Sequence, residues 1–487
     1  MATQRPNIIL ISADQWRGDC LSSAGHPVVR TPFLDSLACE GARFDRAYSA
    51  CPTCIPARAA LYTGLNQAHH GRCGYQDGVP WDYPVTIASE FTRQGYQTQA
   101  IGKLHVFPER SQMGFQNVLL HDGYLHFARR NTANQAHIDD YLQWFRNELG
   151  RPDADYADHG IDCNSNVARP WGYEEYLHPT NWVASQSINF LRRRDPRKPF
   201  FLYMSFHRPH PPYDPPAWAF EQYLHAQMPP PPQGVWSKPF QAYDNAGKPQ
   251  TFVGKFPPDV LQRARAGYFG HMSHIDQQIF RFIESLHECR VGPTYVAFTS
   301  DHGELLGDHN LWRKGLPYEG SAHIPLLLYG PKDSGIKGNS VISDLVELRD
   351  IMPTLLDCAG LVPPAGLDGQ SMLPLARGEQ TLWRSHLHGE HLMFGQSVHY
   401  IVEQRYKYVW FSGSGQEQLF DLTNDPHEVF DLAAQNNGVP PVMQHLRELL
   451  IEELQLRPEG FVANNKLQKG QPVKATLSSV LNAFRNT

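Results

Sequence analysis

The longest apolar runs in the chain are short and end in polar residues. Asn7 to Ala13, Pro199 to Phe206 and Thr294 to Ser300 lack the in-and-out alternation of a half-wet strand. They read as strands buried on both faces, the habit of a parallel sheet. Gln97 to Ile101 and Pro325 to Tyr329 read as two more, and Arg43 to Tyr48 as a short one. Helical spacing fills the intervals. It covers Pro32 to Ala42, Thr86 to Gln94 with Gly95 as its stop, Trp182 to Arg194, and Asp259 to Glu288, and another helix starts at Asp350. Strands alternating with helices predict an α/β fold, a mostly parallel central sheet sandwiched by helices.

Two stretches break this rhythm. From about Leu382 the chain turns to short alternating strands (Val398 to Glu403, Lys407 to Phe411, then Leu419-Phe420-Asp421-Leu422) and a closing helix near Pro441 to Leu456. The reading is therefore a catalytic α/β domain over 1–380 and a smaller C-terminal α+β domain over 381–487. Residues 106–182 carry aromatics, His, Asp and turn signals with little periodicity. Such a stretch inside a domain is expected to be an insertion over a pocket, shaping substrate choice. Trp171, Tyr173, Tyr176 and His178 could line a sugar or aryl subsite there, though packing under a loop is the expected role for most of them.

The polar ends of the apolar runs are where open α/β sheets place ligands. Asp14-Gln15 follows the first strand, Gly102-Lys103-Leu104-His105 another, His207-Arg208-Pro209-His210 a third, and Asp301-His302-Gly303-Glu304 a fourth. A series of turn caps would not repeat so regularly. His207 and His210 in a proline-stiffened loop suit acid/base work. Cys51 to Gly64 reads as a loop entering a short helix, whose unpaired first N–H groups and dipole favour an anion, with Arg58 one turn in. Cys54 sits at that mouth. Spacing alone leaves its role open between a buried space-filling thiol and a Cys51-x-x-Cys54 redox pair.

Composition narrows the class. The 487 residues call for at least two packed units, and 19% charged with 41% hydrophobic residues suits a globular enzyme. A net charge of −6 without a Lys/Arg run argues against nucleic acid or an anionic membrane as partner. Eight scattered cysteines show no disulfide rhythm. With no signal-like start and no apolar run of membrane length, a cytoplasmic location is expected.

Cys54-x-Pro56-x-Arg58, with Leu61 and Thr63-Gly64 after it, resembles the signature of the type I sulfatases, in the alkaline-phosphatase-like superfamily. The resemblance continues in order through Gly102-Lys103-Leu104-His105, the Pro209-His210-Pro211-Pro212 element, Ser300-Asp301-His302-Gly303-Glu304 with Gly307 to Gly315, and Leu419-Phe420-Asp421-Leu422 with Asp425-Pro426-His427-Glu428. It implies that Cys54 is converted to formylglycine by a maturation enzyme, and that its hydrate attacks the sulfur of a small sulfate monoester. Asp14, Gln15, Asp301 and His302, with the converted Cys54, would hold one divalent metal. The ion and Arg58 would ease deprotonation of the hydrate. Lys103 and Lys314 would hold the sulfate, His210 would protonate the leaving alcohol and contact substrate, and His105 would take the proton that lets sulfate depart. The family's usual Asp-Asp and Asp-Asn pairs are Asp14-Gln15 and Asp301-His302 here. Calcium is expected, with manganese or zinc admitted by the imidazole. The same two positions resemble the phosphonate monoester hydrolases, so a phosphonate monoester or phosphodiester substrate is the alternative. A binding protein without catalysis, or a thiol oxidoreductase, is the reading if Cys54 stays a thiol. His388, Glu390 and His391 are weighed as further ligands against a solvated loop.

Overall fold

The computed structural model describes residues 5–434, 440–478 and 480. The central sheet is built from β1 (Asn7–Asp14), β2 (Ala42–Phe44), β3 (Gln97–Gly102), β4 (Asn117–Leu120), β5 (Phe200–Pro209), β6 (Thr294–Ser300), β7 (Leu326–Tyr329) and β8 (Ser340–Ile342). Their order is β8-β2-β7-β6-β1-β5-β3-β4. Every neighbouring pair is parallel except the two that involve β7. In register, Ile8 faces Phe201 and Tyr295 across its two neighbours.

All eight residues of β1 are buried, which explains its unbroken apolar run. Alternation divides it between two cores. Ile9 and Ile11 join Leu202, Met204 and Phe206 on one face, under α5 (Pro179–Arg193) and α6 (Pro258–Glu288). Ile8 and Leu10 join Phe201 and Tyr203 on the other. That face is covered by α2 (Cys54–Thr63), α3 (Ile87–Arg93) and α7 (Ile351–Cys358), while α1 (Pro32–Glu40) packs with the first core and α4 (Asp140–Leu149) lies outside β4.

The stretch 106–182 is tied into the larger domain. It supplies β4 to the main sheet and α4 beside it. Tyr141, Phe145, Tyr156 and Trp171 are part of the first core. Aromatics without periodicity serve here as packing between short elements. The segment Arg43 to Tyr48 is also corrected: β2 ends at Phe44, and Ala47–Tyr48 joins a separate small sheet.

The C-terminal domain is an antiparallel sheet, β9 (Leu387–Met393), β10 (Gln396–Val402), β11 (Tyr406–Phe411) and β12 (Glu417–Asp421), in sequential order. One face packs Ile401, Tyr408, Trp410 and Leu419 on α8 (Pro441–Leu454). The other packs Val398, Tyr400 and Phe411 against Tyr48, Ala50 and Tyr318 of the larger domain. The described helices include none long and apolar enough to cross a membrane.

Candidate active site

Four adjacent parallel strands end at one edge, and each delivers a functional residue. Asp14 ends β1, Lys103 follows β3, His210 follows β5, and Asp301-His302 follow β6. The turn after β1 depends on Gln15, which has a left-handed φ of 74°. Its backbone N–H donates to Asp301 Oδ1 (3.1 Å), joining the first and last of these strand ends.

Cys54 opens α2 and faces them. Its thiol lies 3.2 Å from His302 Nε2, 3.7 Å from Asp14 Oδ1 and 3.9 Å from Lys103 Nζ. Since His302 Nδ1 donates to Gly303 O (3.0 Å), Nε2 is the lone-pair nitrogen and accepts from the thiol. Asp14, Cys54, Asp301 and His302 bring one donor atom each within 4.8 Å of one another, all buried. Two carboxylates and an oriented imidazole fit a hard or borderline divalent cation. Burial raises the Asp14 carboxyl, but Lys103, then His210 and Lys314, outweigh it and hold the group well below its ordinary value. Burial is also the main reason the His302 imidazole falls to about 4, with Asp301 opposing. Both groups therefore stand in their ligating forms at neutral pH.

Gln15 is hydrogen-bonded on both sides of its amide. Its amide oxygen accepts from Lys314 Nζ (2.6 Å), and its amide nitrogen donates to Glu304 Oε2. Its oxygen keeps a second lone pair for a cation. Glu304 was not marked by the sequence reading as a site residue; it is fully buried, and Oε1 accepts the N–H of Leu306 (2.9 Å) and of Arg313. It thus braces the loop that carries Lys314.

Arg58 is fully buried one turn into α2. Nε donates to Asp301 Oδ2 (2.9 Å), and Nη1 to Lys103 O (2.7 Å) and Ser205 Oγ (3.1 Å), so one guanidinium ties the ends of β6 and β3 to the body of β5. Nη2 is buried without a partner among the described residues. Lys103 pairs with Asp14 Oδ2 inside the same cluster.

Lys103 and His105 do not lie along one extended face. Gly102 has φ 103° and His105 φ 57°, so the chain turns sharply. Asp122 fixes the turn by accepting the N–H of Leu104 (2.7 Å) and of His105 (3.0 Å). His105 Nε2 is 3.5 Å from the Tyr75 hydroxyl, and Nδ1 is buried with no partner among the described residues. Burial, then the charges of Lys103 and Arg58, push His105 well below its ordinary value. It is a neutral imidazole, available as a base. His210 is also pushed down by burial and then by Lys314. Its Nδ1 donates to Pro211 O (2.8 Å), leaving Nε2 to exchange a proton. His207 is buried against Arg208, which forms a fork on Asp214 (2.9 and 3.1 Å) behind the loop.

His178 is a correction. It is fully buried, and its Nδ1 accepts the N–H of Thr180 (3.1 Å) at the start of α5. Pro179 at the first helical position makes residue 178 the cap. Its ring packs on Trp171 and His274 rather than on an open subsite. Trp171 is likewise in the core, while Tyr176 is half exposed. His388 and Glu390 lie in a buried cluster with His399, where Arg457 takes the Glu390 carboxylate in a two-pronged ion pair. His391 points elsewhere, to Thr53.

The thiol-redox reading finds no support in the electrostatics. Burial pushes both the Cys51 and Cys54 thiols up, opposite to the activation a redox pair needs.

Comparison with known proteins agrees with this geometry. The Sulfatase family profile matches residues 6–361, and that of the N-sulphoglucosamine sulphohydrolase C-terminal region matches 307–456. An arylsulfatase of Clostridium perfringens is 50% identical over 477 residues, covering 96% of this chain and 98% of that protein. A choline-sulfatase of Rhizobium meliloti is 30% identical, covering 90% and 84%. A phosphonate monoester hydrolase of Agrobacterium radiobacter superposes with a TM-score of 0.76 at 27% identity, covering 92% and 95%.

Proposed function

This chain belongs to the sulfatase family, and from that premise we propose that it hydrolyses small aryl or sugar sulfate monoesters at Cys54. The observation that carries the reading is the convergence of Cys54, Asp14, Asp301, His302 and Lys103 at one buried sheet edge. Cys54 as formylglycine would supply a geminal-diol nucleophile, and a divalent cation at Asp14, Asp301 and His302 would supply Lewis-acid polarisation there.

The remaining chemistry belongs to the side chains. Lys103 pairs with Asp14 and Lys314 with Gln15, and the two lysines would hold the oxygens of a sulfate brought to Cys54. An arriving anion would oppose the fields of Lys314 and Lys103, which favours a proton at His210 Nε2 beside substrate. That proton goes to the leaving alcohol oxygen. His105, neutral and without a partner at Nδ1, accepts the proton whose removal frees sulfate. Arg58 acts as a tie, keeping Asp301 and the Lys103 turn in register.

The test is direct. Protein produced with a formylglycine-generating system is expected to show aldehyde in place of thiol in the Cys54 peptide by mass spectrometry, and to turn over an aryl sulfate. Cys54→Ala is expected to abolish turnover; retained turnover sinks the proposal. Chelation is expected to remove activity, and metal analysis to find one equivalent of calcium. Stoichiometric manganese or zinc without calcium would overturn that choice of ion.

A second reading has one specific support. Gln15 and His302 differ from the all-oxygen pairs of the family, and the phosphonate monoester hydrolase neighbour superposes over nearly the whole chain. A phosphonate monoester carries the same single negative charge as a sulfate ester. Comparing kcat/KM for an aryl sulfate and a phenyl phosphonate ester ranks the two substrates.

A further inference from the structure

Strand β9 lies at the edge of the C-terminal sheet, yet that edge is occupied. Glu390 N–H donates to Ala50 O (2.8 Å) and Leu392 N–H to Cys73 O (3.0 Å). From β10, Tyr400 OH donates to Ser49 O (2.8 Å). The C-terminal domain therefore clamps the residues that lead into α2.

His391 sits within this clamp, 4% exposed. Its Nε2 lies 3.0 Å from Thr53 Oγ1, one residue before Cys54. The other side of its ring lies on Gly315, one residue after Lys314. A Cβ at Gly315 would come within 3.0 Å of His391 Nδ1 and 3.1 Å of Cε1. One imidazole thus touches the residues flanking both the nucleophile and a sulfate-binding lysine.

Thr53 shows that this contact has displaced an ordinary one. It is the N-cap of α2, but its side chain makes no cap hydrogen bond. A capping threonine accepts from the second or third helical N–H. The third residue here is Pro56, which has no N–H. The hydroxyl turns to His391, so the orientation of Thr53, and with it the direction in which Cys54 leaves the loop, is held from the other domain.

We propose that His391 is a positioning residue for hydrolysis, holding Thr53 and Gly315 so that Cys54 and Lys314 face one sulfate group. This rests on Cys54 being the nucleophile. It makes the C-terminal domain a participant in turnover as well as a packing partner.

The test uses full-length Thr53→Val, His391→Phe, their double variant and His391→Gln, with rates normalised to converted Cys54 measured by peptide mass spectrometry. Each of the first two is expected to lower kcat by roughly 10- to 100-fold, since displacement of a reacting group by about 1 Å costs on that order. KM is expected to stay within about 3-fold in Thr53→Val, which leaves the Gly315 contact in place, and to rise further in His391→Phe, which also frees the Lys314 loop. The double variant is expected to be no worse than the weaker single one. His391→Gln, whose amide nitrogen reaches the Nε2 position, is expected to recover much of the loss. Wild-type kcat in Thr53→Val overturns the proposal, as do losses that multiply in the double variant or that, in Thr53→Val, fall on KM. If His391→Phe does not fold, Thr53→Val alone decides. An inactive wild type with converted Cys54 would count against the nucleophile reading instead.

Discussion

Lys103 and Lys314, the two lysines proposed to hold the sulfate, are both buried but tied differently. Lys103 neutralises Asp14, whereas Lys314 rests on a neutral amide oxygen. Removing Lys103 leaves a buried carboxylate uncompensated, so its loss mixes stability with catalysis. Lys314→Met is the cleaner probe. It is expected to lower kcat/KM on an aryl sulfate by about 10²- to 10³-fold with little change in melting temperature. A loss under about 5-fold would remove Lys314 from the sulfate site. His105 gives a pH prediction at the same scale. Its imidazole is held well below its ordinary value by burial, Lys103 and Arg58, so it stays in the base form as pH falls through 6.5. The acid limb of kcat is expected below pH 6.5. A limb at 6.5 or above in the pH–rate profile rules out His105 as the base.

At the scale of elements, the end of β3 matters most. Gly102 has φ 103°, and a Cβ there would lie 1.9 Å from Ser205 O on β5. Only glycine admits both the left-handed backbone and that approach. The turn that follows throws Lys103 toward Asp14 and lets Asp122 seize two N–H groups. Gly102→Ala is expected to cost more than about 2 kcal/mol in stability. Denaturant unfolding measures it, and an unchanged midpoint would show that the strands part easily. The helix α2 makes a related point. All ten of its residues are buried, so its alanines are there because neighbouring strands approach closely.

For the whole molecule, buried neutral histidines set the response to acid. Burial is the main cause that lowers His70, His391 and His399 to about 3. The unfolded chain protonates these groups below pH 6.5 while the folded one does not. The unfolded state then binds more protons, and stability falls as pH drops from 6.5 toward 3. Each such group costs about 2 kcal/mol by pH 5. The melting temperature is expected to decline steadily from pH 7 to 5, and His399→Gln to flatten that slope. A melting temperature constant over this range would contradict the burial argument.

The sequence by itself determined the sheet and the four strand ends. A strand buried on both faces must be apolar throughout, and the polar residues beyond it must sit at the sheet's edge. That logic is local, so Asp14, Lys103, His210, Asp301 and His302 were legible, as was Cys54 at a helix start. It also misled where local pattern was thin. The aromatics of 106–182 fill the core, as packing under a loop would have them, but His178 read as a subsite residue and caps a helix, because burial of an isolated side chain leaves no periodic trace. Only the tertiary structure decided the supports: Asp122 under His105, Glu304 under Gln15 and the Lys314 loop, and His391 against Thr53. These contacts join residues as far apart as 338 positions. Nothing in their neighbours marks them, since a hydrogen bond between two domains exists only once both have packed.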